Sequence, residues 1–542
     1  MPTDLPPSDT AALPTPPMAW NAWGDPQLAK PLSDDIKALL DSLLELDPQQ
    51  PAPAREQVRL RPSTLSGVHL KALTEIVGDA HVSVRDADRL PRAGGKSTPD
   101  LLRRRSGAPQ DAPDAVVLPG TEDELQAVLA LCAQQRIAVV PFGGGTSVVG
   151  GLDPVRGQFG AVVSLDLRRF DALLFLDEVS GEAVLGAGVT GPRAEELLGA
   201  HGFELGHFPQ SFRFATIGGF AATRSSGQDS AGHGRFDEMV RGLRVVTPTG
   251  ILDLGRGPAS AAGPDLRQLF LGSEGTLGVI TAVRVRVHAA PAARRHEAWS
   301  FPDFATGTAA LRAVEQQGTG PTVIRLSDET ETGINLAMTA KIGAPQTVTG
   351  CLAVTVFEGT EEQVEARHEA TRRTLLAHGA TSLGEAPAQA WEHGRFDAPY
   401  LRDSLLTQGA LCETLETAAN WSDLPQLRTA VTGALQEALQ ATGSTSLVMC
   451  HISHVYPTGA SLYFTVVAAQ RGDAIAQWQQ AKTAAGDAIM AAGGTITHHH
   501  AVGTDHRAWM EQEIGELGVA VLRAVKGVVD PVGILNPGKL IP

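Results

Sequence analysis

The stretch Val139-Val140-Pro141-Phe142-Gly143-Gly144-Gly145-Thr146-Ser147 decides how this 542-residue chain is interpreted. Ile137 to Val140 is an apolar, partly β-branched run that is typical of a buried strand. Pro141 is expected to end that strand, because it has no N–H to donate. The three glycines after it allow positive φ angles and can direct successive amides toward one point. Such an array of donors suits a phosphate or pyrophosphate, although a tight turn without a ligand explains three glycines equally well.

Two later stretches combine glycines with hydroxyl residues in the same way. Residues 206–227 contain Gly218-Gly219 and Thr223-Arg224-Ser225-Ser226, and residues 270–281 contain Gly272-Ser273-Glu274-Gly275-Thr276. Three clusters of one kind favour a single long ligand that is held at several points. The first cluster is not a P-loop, which requires a Gly-Lys-Ser/Thr sequence, and it is not a GxGxxG fingerprint, in which a helix begins at the glycines.

Composition excludes several classes of function. The formal charge of −16 argues against general nucleic-acid binding, which requires a basic surface. The four cysteines are widely spaced and form no CxxC pair, so we expect reduced thiols in a cytoplasmic protein and no zinc site. No run approaches the roughly 18 apolar residues of a transmembrane helix. Residues 1–17 are rich in Pro, Ser, Thr and Asp, which predicts a disordered tail.

Strands and helices alternate through the first half of the chain. Residues 114–149 form a β-α-β pattern, in which Ala115-Val116-Val117 is a short strand and Thr121 to Glu124 is a capping box that opens a helix. Further strands are predicted around residues 161–165 and 183–189. This alternation indicates an α/β or α+β fold.

The run His498-His499-His500 provides candidate groups for proton transfer near neutral pH. In an extended strand neighbouring side chains point to opposite faces, so three adjacent histidines cannot all converge on one ion. No metal is therefore expected here. If the segment is extended, His498 and His500 share one face and His499 lies on the other, where we expect the chemical role. The alternative is that these rings are merely packed beside a ligand.

Two arginines and one tyrosine are further candidates. A guanidinium offers a planar, bidentate fork to a phosphate or carboxylate, which Arg325 and Arg402 could bind. For Arg402, a salt bridge to the adjacent Asp403 is an equally good explanation. Tyr463 is one of three tyrosines in the chain, and it is either a core strand residue or a proton donor at a strand end.

The three glycine clusters, in this order, resemble the FAD-binding half of the vanillyl-alcohol oxidase / p-cresol methylhydroxylase flavoproteins. The segment Val529-Asp530-Pro531-Val532-Gly533-Ile534-Leu535-Asn536-Pro537-Gly538-Lys539-Leu540 is similar to the closing segment of that family. The resemblance implies an α+β fold with a two-part FAD-binding domain and a sheet-plus-helix cap domain that binds the substrate. We expect these divisions: 1–17, disordered tail; 18–110, N-terminal helical leader; 111–290, FAD-binding domain; 291–490, cap domain; 491–542, C-terminal segment returning to the FAD-binding domain.

The resemblance also implies which residues contact FAD. These residues are Pro141, Phe142, Gly143, Gly144, Gly145, Thr146, Ser147, Gln210, Ser211, Phe212, Arg213, Phe214, Ala215, Thr216, Thr223, Arg224, Ser225, Ser226, Glu274, Gly275, Thr276, Leu277, Gly278, Val279 and Ile280. Berberine-bridge-type relatives carry a histidine in the first loop that is bonded to FAD. Because this chain has Gly145-Thr146-Ser147 there, the implied FAD is non-covalent.

Within the family, the chain is most similar to the alkylglycerone-phosphate synthases. The similarity includes Arg325-Leu326-Ser327-Asp328, residues 395–403, Leu462-Tyr463-Phe464 and residues 497–503. It implies that Tyr463 transfers a proton, that Arg402 binds substrate, and that Arg325 and the three histidines are required for activity.

The implied reaction is exchange of the acyl group of 1-acyl-glycerone 3-phosphate for a long-chain alcohol, which forms an ether-lipid precursor. The alternative is an FAD-dependent oxidase or dehydrogenase of D-2-hydroxy acids, which the ending Asn536-Pro537-Gly538-Lys539 resembles more closely. A lipid substrate implies peripheral contact with a membrane. We also expect a homodimer.

Overall fold

The computed structural model describes residues 18–29, 31–47, 52–335, 342 and 348–542. The predicted disordered tail, residues 1–17, lies outside the described residues. The described chain is built from many short helices and strands, and the predicted α+β class is confirmed by the fold comparisons given below.

The helices and strands alternate along the chain. The helices are α1 (Asp34–Leu43), α2 (Gly67–Val77), α3 (Asp86–Arg89), α4 (Thr98–Arg105), α5 (Glu122–Gln135), α6 (Gly191–Gly199), α7 (Ile217–Thr223), α8 (Ser230–His233), α9 (Phe236–Met239), α10 (Arg267–Phe270), α11 (Phe304–Gln316), α12 (Glu329–Gly333), α13 (Glu361–Ala377), α14 (Ala386–Gly394), α15 (Ala398–Thr407), α16 (Leu424–Ala441), α17 (Ala474–Ala491) and α18 (Met510–Val529). The strands are β1 (Val82–Ser83), β2 (Ala115–Val117), β3 (Ile137–Phe142), β4 (Ala161–Asp166), β5 (Leu173–Asp177), β6 (Glu182–Gly186), β7 (Phe203–Glu204), β8 (Val240–Thr247), β9 (Gly250–Leu254), β10 (Val279–Arg286), β11 (His288–Ala289), β12 (Ala293–Phe301), β13 (Val323–Ser327), β14 (Cys351–Gly359), β15 (Thr381–Gly384), β16 (Ala410–Asn420), β17 (Ser446–Tyr456) and β18 (Gly459–Ala469).

A four-stranded sheet in the order β1-β2-β4-β3 carries the first glycine loop. Strands β2, β4 and β3 are parallel, as expected for a β-α-β unit whose crossover is α5. The Thr121 hydroxyl accepts from the Glu124 N–H and caps α5, but the Glu124 carboxylate accepts from the Gly120 N–H, so only the first half of the predicted capping box forms. The helix then packs its apolar face against the sheet through Leu125, Val128 and Leu129.

The prediction that Pro141 ends β3 was wrong. The strand continues through Phe142, and Pro141 lies opposite Leu165 of β4 in the parallel register. Strand β3 is at the edge of this sheet, so the missing N–H of Pro141 removes no ladder bond on its open side. The glycine loop consequently begins at the end of a regular edge strand.

A five-stranded antiparallel sheet in the order β5-β6-β10-β8-β9 carries the other two glycine clusters. Helix α7 begins at Ile217, where the Thr216 hydroxyl accepts from the Gly219 N–H. At Gly218, an added Cβ would come within 2.6 Å of the Ala187 side chain, so glycine is required for α7 to approach the end of β6. Both clusters are thereby brought to the same side as the first loop.

A seven-stranded sheet in the order β15-β12-β14-β13-β17-β18-β16 forms the second part of the molecule. All of its pairs are antiparallel, and the longest runs without interruption from Ala410 opposite Ala469 to Asn420 opposite Gly459. One face packs on helices α11, α16 and α17 in the largest hydrophobic cluster. Because side chains alternate along a strand, every second residue of β16, β17 and β18 points away from that core, toward the glycine loops.

The C-terminal segment returns to the first sheet. Leu535 forms a parallel bridge to Val139, and the Asn536 amide donates to the carbonyl oxygens of Gly151 and Glu274. Helix α18 has a kink at Gly515, whose φ is 76°. These contacts join the chain's last residues to two of the three glycine clusters.

Candidate active site

A cavity of about 440 Å³ lies between the glycine clusters and the inward face of the seven-stranded sheet. One part of its wall is formed by backbone and polar side chains, and the other part is almost entirely apolar. The two parts of the wall indicate different portions of a bound ligand.

The first loop provides unused hydrogen-bond donors. All seven residues from Pro141 to Ser147 line the cavity. Within the described chain, none of the backbone N–H groups of residues 143–147 donates to a protein acceptor. A Cβ at Gly144 would lie 2.0 Å from the Phe214 carbonyl oxygen, so this close approach requires glycine. A loop of free amides beside a cavity fits the pyrophosphate of FAD.

Three buried side-chain atoms on the same wall also have no hydrogen-bond partner within the described chain. They are Nε2 of Gln210, Oγ of Ser226 and Oε1 of Gln228. Buried polar groups are normally hydrogen-bonded, so these atoms are available to a ligand in the cavity. FAD, with its many donors and acceptors, fits this wall, and it supplies the capacity to accept electrons from a substrate.

The structure brings most of the predicted FAD contacts to the cavity. Nineteen of them line it: Pro141, Phe142, Gly143, Gly144, Gly145, Thr146, Ser147, Gln210, Ser211, Ala215, Thr216, Thr223, Ser225, Ser226, Glu274, Gly275, Gly278, Val279 and Ile280. Six do not: Phe212, Arg213, Phe214, Arg224, Thr276 and Leu277.

The positions of two of these six have a clear reason. Arg224 is directed away from the cavity because its guanidinium is paired with Asp237 at 2.7 Å. Leu277 is fully buried in the hydrophobic core of the five-stranded sheet. The contacts with FAD themselves remain predictions.

The segment with three histidines is not extended. Residues 498–500 form a bend, in which the carboxylate of Glu416 accepts from the backbone N–H groups of His498 and His500 and from the Thr497 hydroxyl. The expected alternation of faces, with His498 and His500 on one side, is therefore wrong. His499 and His500 both line the cavity, whereas His498 lies behind them.

Ring contacts and burial define the state of these histidines. The Nδ1 atoms of His498 and His499 are 2.9 Å apart, and the other nitrogen of His498 bonds the Tyr456 hydroxyl. Burial lowers the pKa of His499 to about 3 and that of His500 to about 4, although Glu416 acts in the opposite direction. Both rings are therefore neutral at physiological pH.

His454 completes a group of three nearby rings with His498 and His499. Its two nitrogens are already engaged, one with the Gly227 carbonyl oxygen at 2.6 Å and one with the Ser453 hydroxyl at 2.9 Å. A metal ion here would have to displace these bonds. The group is better explained as a hydrogen-bonded support for His499.

Tyr463 lies on β18 with its ring against the histidines. Its centroid is 4.9 Å from that of His451 and 6.0 Å from that of His499, with both pairs nearly parallel. Its hydroxyl donates to Thr414 at 3.0 Å. Burial raises the pKa of Tyr463 to about 12, so the hydroxyl remains protonated and can act as a donor.

Both predicted arginines line the cavity and both are held firmly. Arg325 contacts Glu331, and its Nη2 is 3.1 Å from Nδ1 of His451. Its Nε is buried without a partner in the described chain. Arg402 donates to the Lys96 carbonyl oxygen at 2.6 Å and pairs with Asp403 at 3.1 Å. Arg402 therefore forms the predicted salt bridge and also faces the cavity, so the two explanations are compatible.

Several lining residues were not predicted from the sequence. They are Gln228, Arg395, Glu413, Thr414, His451 and His454. Some of them could have been predicted from the alternation of side chains along a strand. The cavity-lining residues of three adjacent strands are two positions apart: 412 and 414, 449 and 451, and 463, 465 and 467. Strand order, which sets those positions side by side, is not visible in the sequence.

The apolar part of the cavity is an arm that leads to α1. Its wall consists of Ile36, Leu39, Leu40, Leu43, Leu44, Ile334, Ile342, Leu401, Leu405, Cys412, Leu447, Met449 and Val467. Most of these residues belong to one hydrophobic cluster between α1 and the seven-stranded sheet. Leu43 lines the cavity and is 41% exposed, so α1 lies between the arm and the surface.

Comparison with known proteins gives the class of this molecule. The model of the FAD binding domain family matches residues 113–255, and that of the C-terminal domain of FAD linked oxidases matches residues 290–540. A solved structure of p-cresol methylhydroxylase with substrate bound shares the fold, with a TM-score of 0.67 at 17% identity over 87% of this chain and 96% of that one. The fold and the cavity thus define an FAD-binding flavoprotein of the vanillyl-alcohol oxidase type.

More similar relatives are alkyldihydroxyacetonephosphate synthases, a second name for the alkylglycerone-phosphate synthases. The relative from Trypanosoma brucei brucei is 32% identical, with 96% of this chain and 92% of that protein covered. The one from Dictyostelium discoideum is 35% identical, with coverages of 84% and 77%. A solved alkyldihydroxyacetonephosphate synthase structure has a TM-score of 0.82 at 30% identity and covers 96% and 99% of the two chains. The chain belongs to the alkyldihydroxyacetonephosphate synthase family.

Proposed function

We propose that this FAD-dependent enzyme exchanges the acyl group of 1-acyl-glycerone 3-phosphate for a long-chain alcohol, forming an ether-lipid precursor. The observation that carries the proposal is the apolar arm, which opens from the wall that holds Tyr463 and His499 and ends beside α1. A fatty acyl or alkyl chain fills such an arm. A D-2-hydroxy acid is small and polar and would leave the apolar arm empty.

The lining residues supply the remaining functions. Arg402 and Arg325 provide guanidinium groups for the substrate phosphate, and their existing ion pairs hold them in place. We assign the proton transfers at C1 to His499 and Tyr463, because both side chains line the cavity and their nearly parallel rings have centroids 6.0 Å apart.

The test is an alcohol chain-length series with palmitoyl-glycerone phosphate as the second substrate. Burying each additional methylene contributes about 0.8 kcal/mol, so KM should fall roughly fourfold per carbon until the arm is filled. The matched assay presents a panel of D-2-hydroxy acids under anaerobic conditions. Bleaching of the flavin by a hydroxy acid, with no ether product from any alcohol, would contradict the proposal.

The homodimer is proposed on the basis of an exposed apolar stripe on α18. After the kink at Gly515, Leu517, Val521 and Val528 are 79%, 51% and 71% exposed, which is unusual for large apolar side chains on one helix. A second copy packed antiparallel would cover this stripe and bring Glu516 of one copy near Arg523 of the other. Light scattering of Leu517→Glu beside the wild type tests it, and an unchanged dimer or a wild-type monomer would refute it.

Location and membrane contact are proposed together. None of the helices in the described residues is long and apolar enough to cross a membrane. We propose a cytoplasmic enzyme that contacts a membrane at its periphery beside α1, where the arm ends and a lipid chain would enter. Flotation with liposomes tests this contact, and equal binding of the wild type and a Leu43→Asp variant would contradict the position.

A further inference from the structure

A second cluster of ligating side chains lies outside the cavity, at the junction of the FAD-binding half and the seven-stranded sheet. Glu204 is the last residue of β7, His233 is the last residue of α8, and Glu358 lies near the end of β14. None of them lines the cavity. The proposed reaction therefore gives this cluster no role.

The ligating nitrogen of His233 lies farther from both carboxylates than a normal hydrogen bond, at a spacing that two ligands of one ion can have. Nε2 of His233 is 3.9 Å from a carboxylate oxygen of Glu204 and 3.9 Å from one of Glu358, and all three atoms lie within 4.8 Å of one another. Hydrogen bonds are shorter, about 2.7–3.2 Å for an N–H to oxygen contact. Two ligands that are each about 2.0–2.1 Å from one ion are separated by up to about 4.2 Å.

The three side chains are largely shielded from solvent. The side chains of Glu204, His233 and Glu358 are 16%, 14% and 4% exposed. Nε2 of His233 is buried and has no hydrogen-bond partner in the described chain. His288 packs on His233 with 4.2 Å between ring centroids, and its own Nε2 is also buried and unpartnered within those same residues.

The local charges leave an excess of acid. Glu358 is paired with Arg294, and the neighbouring Asp229 is paired with Arg395 at 3.2 Å. For Glu204, the described residues offer no cationic group closer than the His233 ring. A buried carboxylate without a partner is costly, and a divalent cation bound between the three groups would offset that cost.

The backbone holds the segments that carry His233 and Glu358 in place without an ion. The Gly232 N–H donates to the Thr322 carbonyl oxygen at 3.1 Å, and the Glu358 N–H donates to the Thr322 hydroxyl at 3.2 Å. A Cβ at Gly232 would lie 2.7 Å from the Thr322 Cα, so α8 can approach the sheet this closely only with glycine. Preorganised ligands on rigid elements are what a metal site requires.

We propose that Glu204, His233 and Glu358 bind one divalent cation of zinc-like chemistry, which fastens the seven-stranded sheet to the FAD-binding half. An imidazole nitrogen together with carboxylate oxygens suits Zn²⁺, whereas Mg²⁺ prefers oxygen ligands alone. The prediction of no metal was based on the three consecutive histidines. Glu204, His233 and Glu358 come instead from three separate segments of the chain.

The test uses FAD-loaded full-length protein freed of metal by a chelator. Titration calorimetry with ZnCl₂ and elemental analysis after dialysis should both give one zinc per chain. Glu204→Gln and His233→Gln should each weaken zinc binding by more than about 100-fold, since even outer-shell changes cost 10- to 100-fold. Zinc should raise the unfolding temperature of the wild type and of neither variant.

The matched control is His201→Gln. His201 and Glu178 are also 3.9 Å apart, but their side chains are 43% and 66% exposed and no second carboxylate completes the group. This variant should bind zinc as the wild type does. FAD content and circular dichroism establish that each variant is folded. If His233→Gln does not fold, the near-isosteric Glu204→Gln provides the test on its own.

Three results would overturn the proposal. The wild type could bind no stoichiometric zinc, or Glu204→Gln and His233→Gln could bind it with unchanged affinity. Zinc that is lost in His498→Gln but retained in His233→Gln would belong to the histidines beside the cavity instead. The unfolding temperature separates this proposal from the proposed function, because it does not depend on turnover.

Discussion

At the scale of single residues, burial decides what the polar groups around the cavity can do. Tyr463 and His499 lie with nearly parallel rings, and burial moves their pKa values in opposite directions, to about 12 and about 3. At neutral pH the tyrosine hydroxyl is therefore protonated and the imidazole is uncharged. The pairing follows from the desolvation of both rings and needs no special neighbour.

The first prediction concerns the Tyr463 hydroxyl. Tyr463→Phe should retain FAD and lose about 10²- to 10⁴-fold in kcat, which is the usual contribution of a positioned proton-transfer group. Steady-state kinetics and the flavin absorbance of the purified variant measure the two effects. Tyr400→Phe is the matched control, because the Tyr400 hydroxyl accepts from the Asp25 N–H and does not line the cavity. Equal activity of both variants would remove Tyr463 from the mechanism.

At the scale of elements, a loop and a helix line different parts of the cavity. The loop after β3 presents free amides to an anion, and α1 presents an apolar face to the arm. Helix α1 is capped by the Ser33 hydroxyl, which accepts from the Ile36 N–H. Its spacing of apolar residues was visible in the sequence, but its position over the cavity was not.

The first glycine loop predicts how FAD is attached. In the histidine-linked relatives, a histidine of this loop is bonded covalently to the flavin. Residues 143–147 contain no histidine, so acid or heat should release intact FAD into the supernatant. Absorbance of the supernatant and the mass of the denatured chain are the measurements. A chain whose mass includes one FAD after denaturation would show that the prediction is wrong.

Helix α1 predicts the chain-length preference. Leu40 lines the arm and is 7% exposed, so Leu40→Trp should block the arm and reduce kcat/KM for hexadecanol at least about tenfold, as expected for overpacking by a large ring. Short alcohols should be affected less. Ala38→Trp places the same ring on the exposed face of α1, and its kinetics should match the wild type. An equal loss for short and long alcohols would argue against the arm.

At the scale of the whole molecule, the buried histidines make stability depend on pH. Burial lowers the pKa of His207 and of His454 to about 3, as it does for His499. An unfolded chain protonates histidine near pH 6.5. Between these values the unfolded state binds more protons than the folded state, so the free energy of unfolding falls as the pH falls.

The expected slope is about 1.4 kcal/mol per pH unit for each histidine that stays neutral. Urea unfolding at several values between about pH 4.5 and 7.5 measures the slope. His207→Gln should reduce the slope by the contribution of one histidine, about 1.4 kcal/mol per pH unit. The reason is that this ring is fully buried between Phe220 and Phe236. The exposed His393→Gln is the control and should leave it unchanged. A slope that His207→Gln does not alter would contradict the neutral state of this ring.

Sequence alone determined the local features of this protein. The glycine loop after β3, the cap of α5 at Thr121 and the resemblance to the FAD-binding family depend on residues that are close in the chain. Such features follow from φ preferences, hydrogen bonds to near neighbours and side-chain periodicity. FAD and the class of reaction were implied by the resemblance to the family and not by these local rules alone.

Tertiary structure alone decided which distant residues meet. It placed Tyr463 opposite His451 across two strands, bent the three histidines around Glu416, and brought Glu204, His233 and Glu358 to one point. Strand order and the packing of α1 over the sheet determine these contacts, and both result from burying apolar surface throughout the molecule. The sequence does not show which apolar surfaces pack against each other. For this reason the apolar arm and the proposed cation site are visible only in the folded chain.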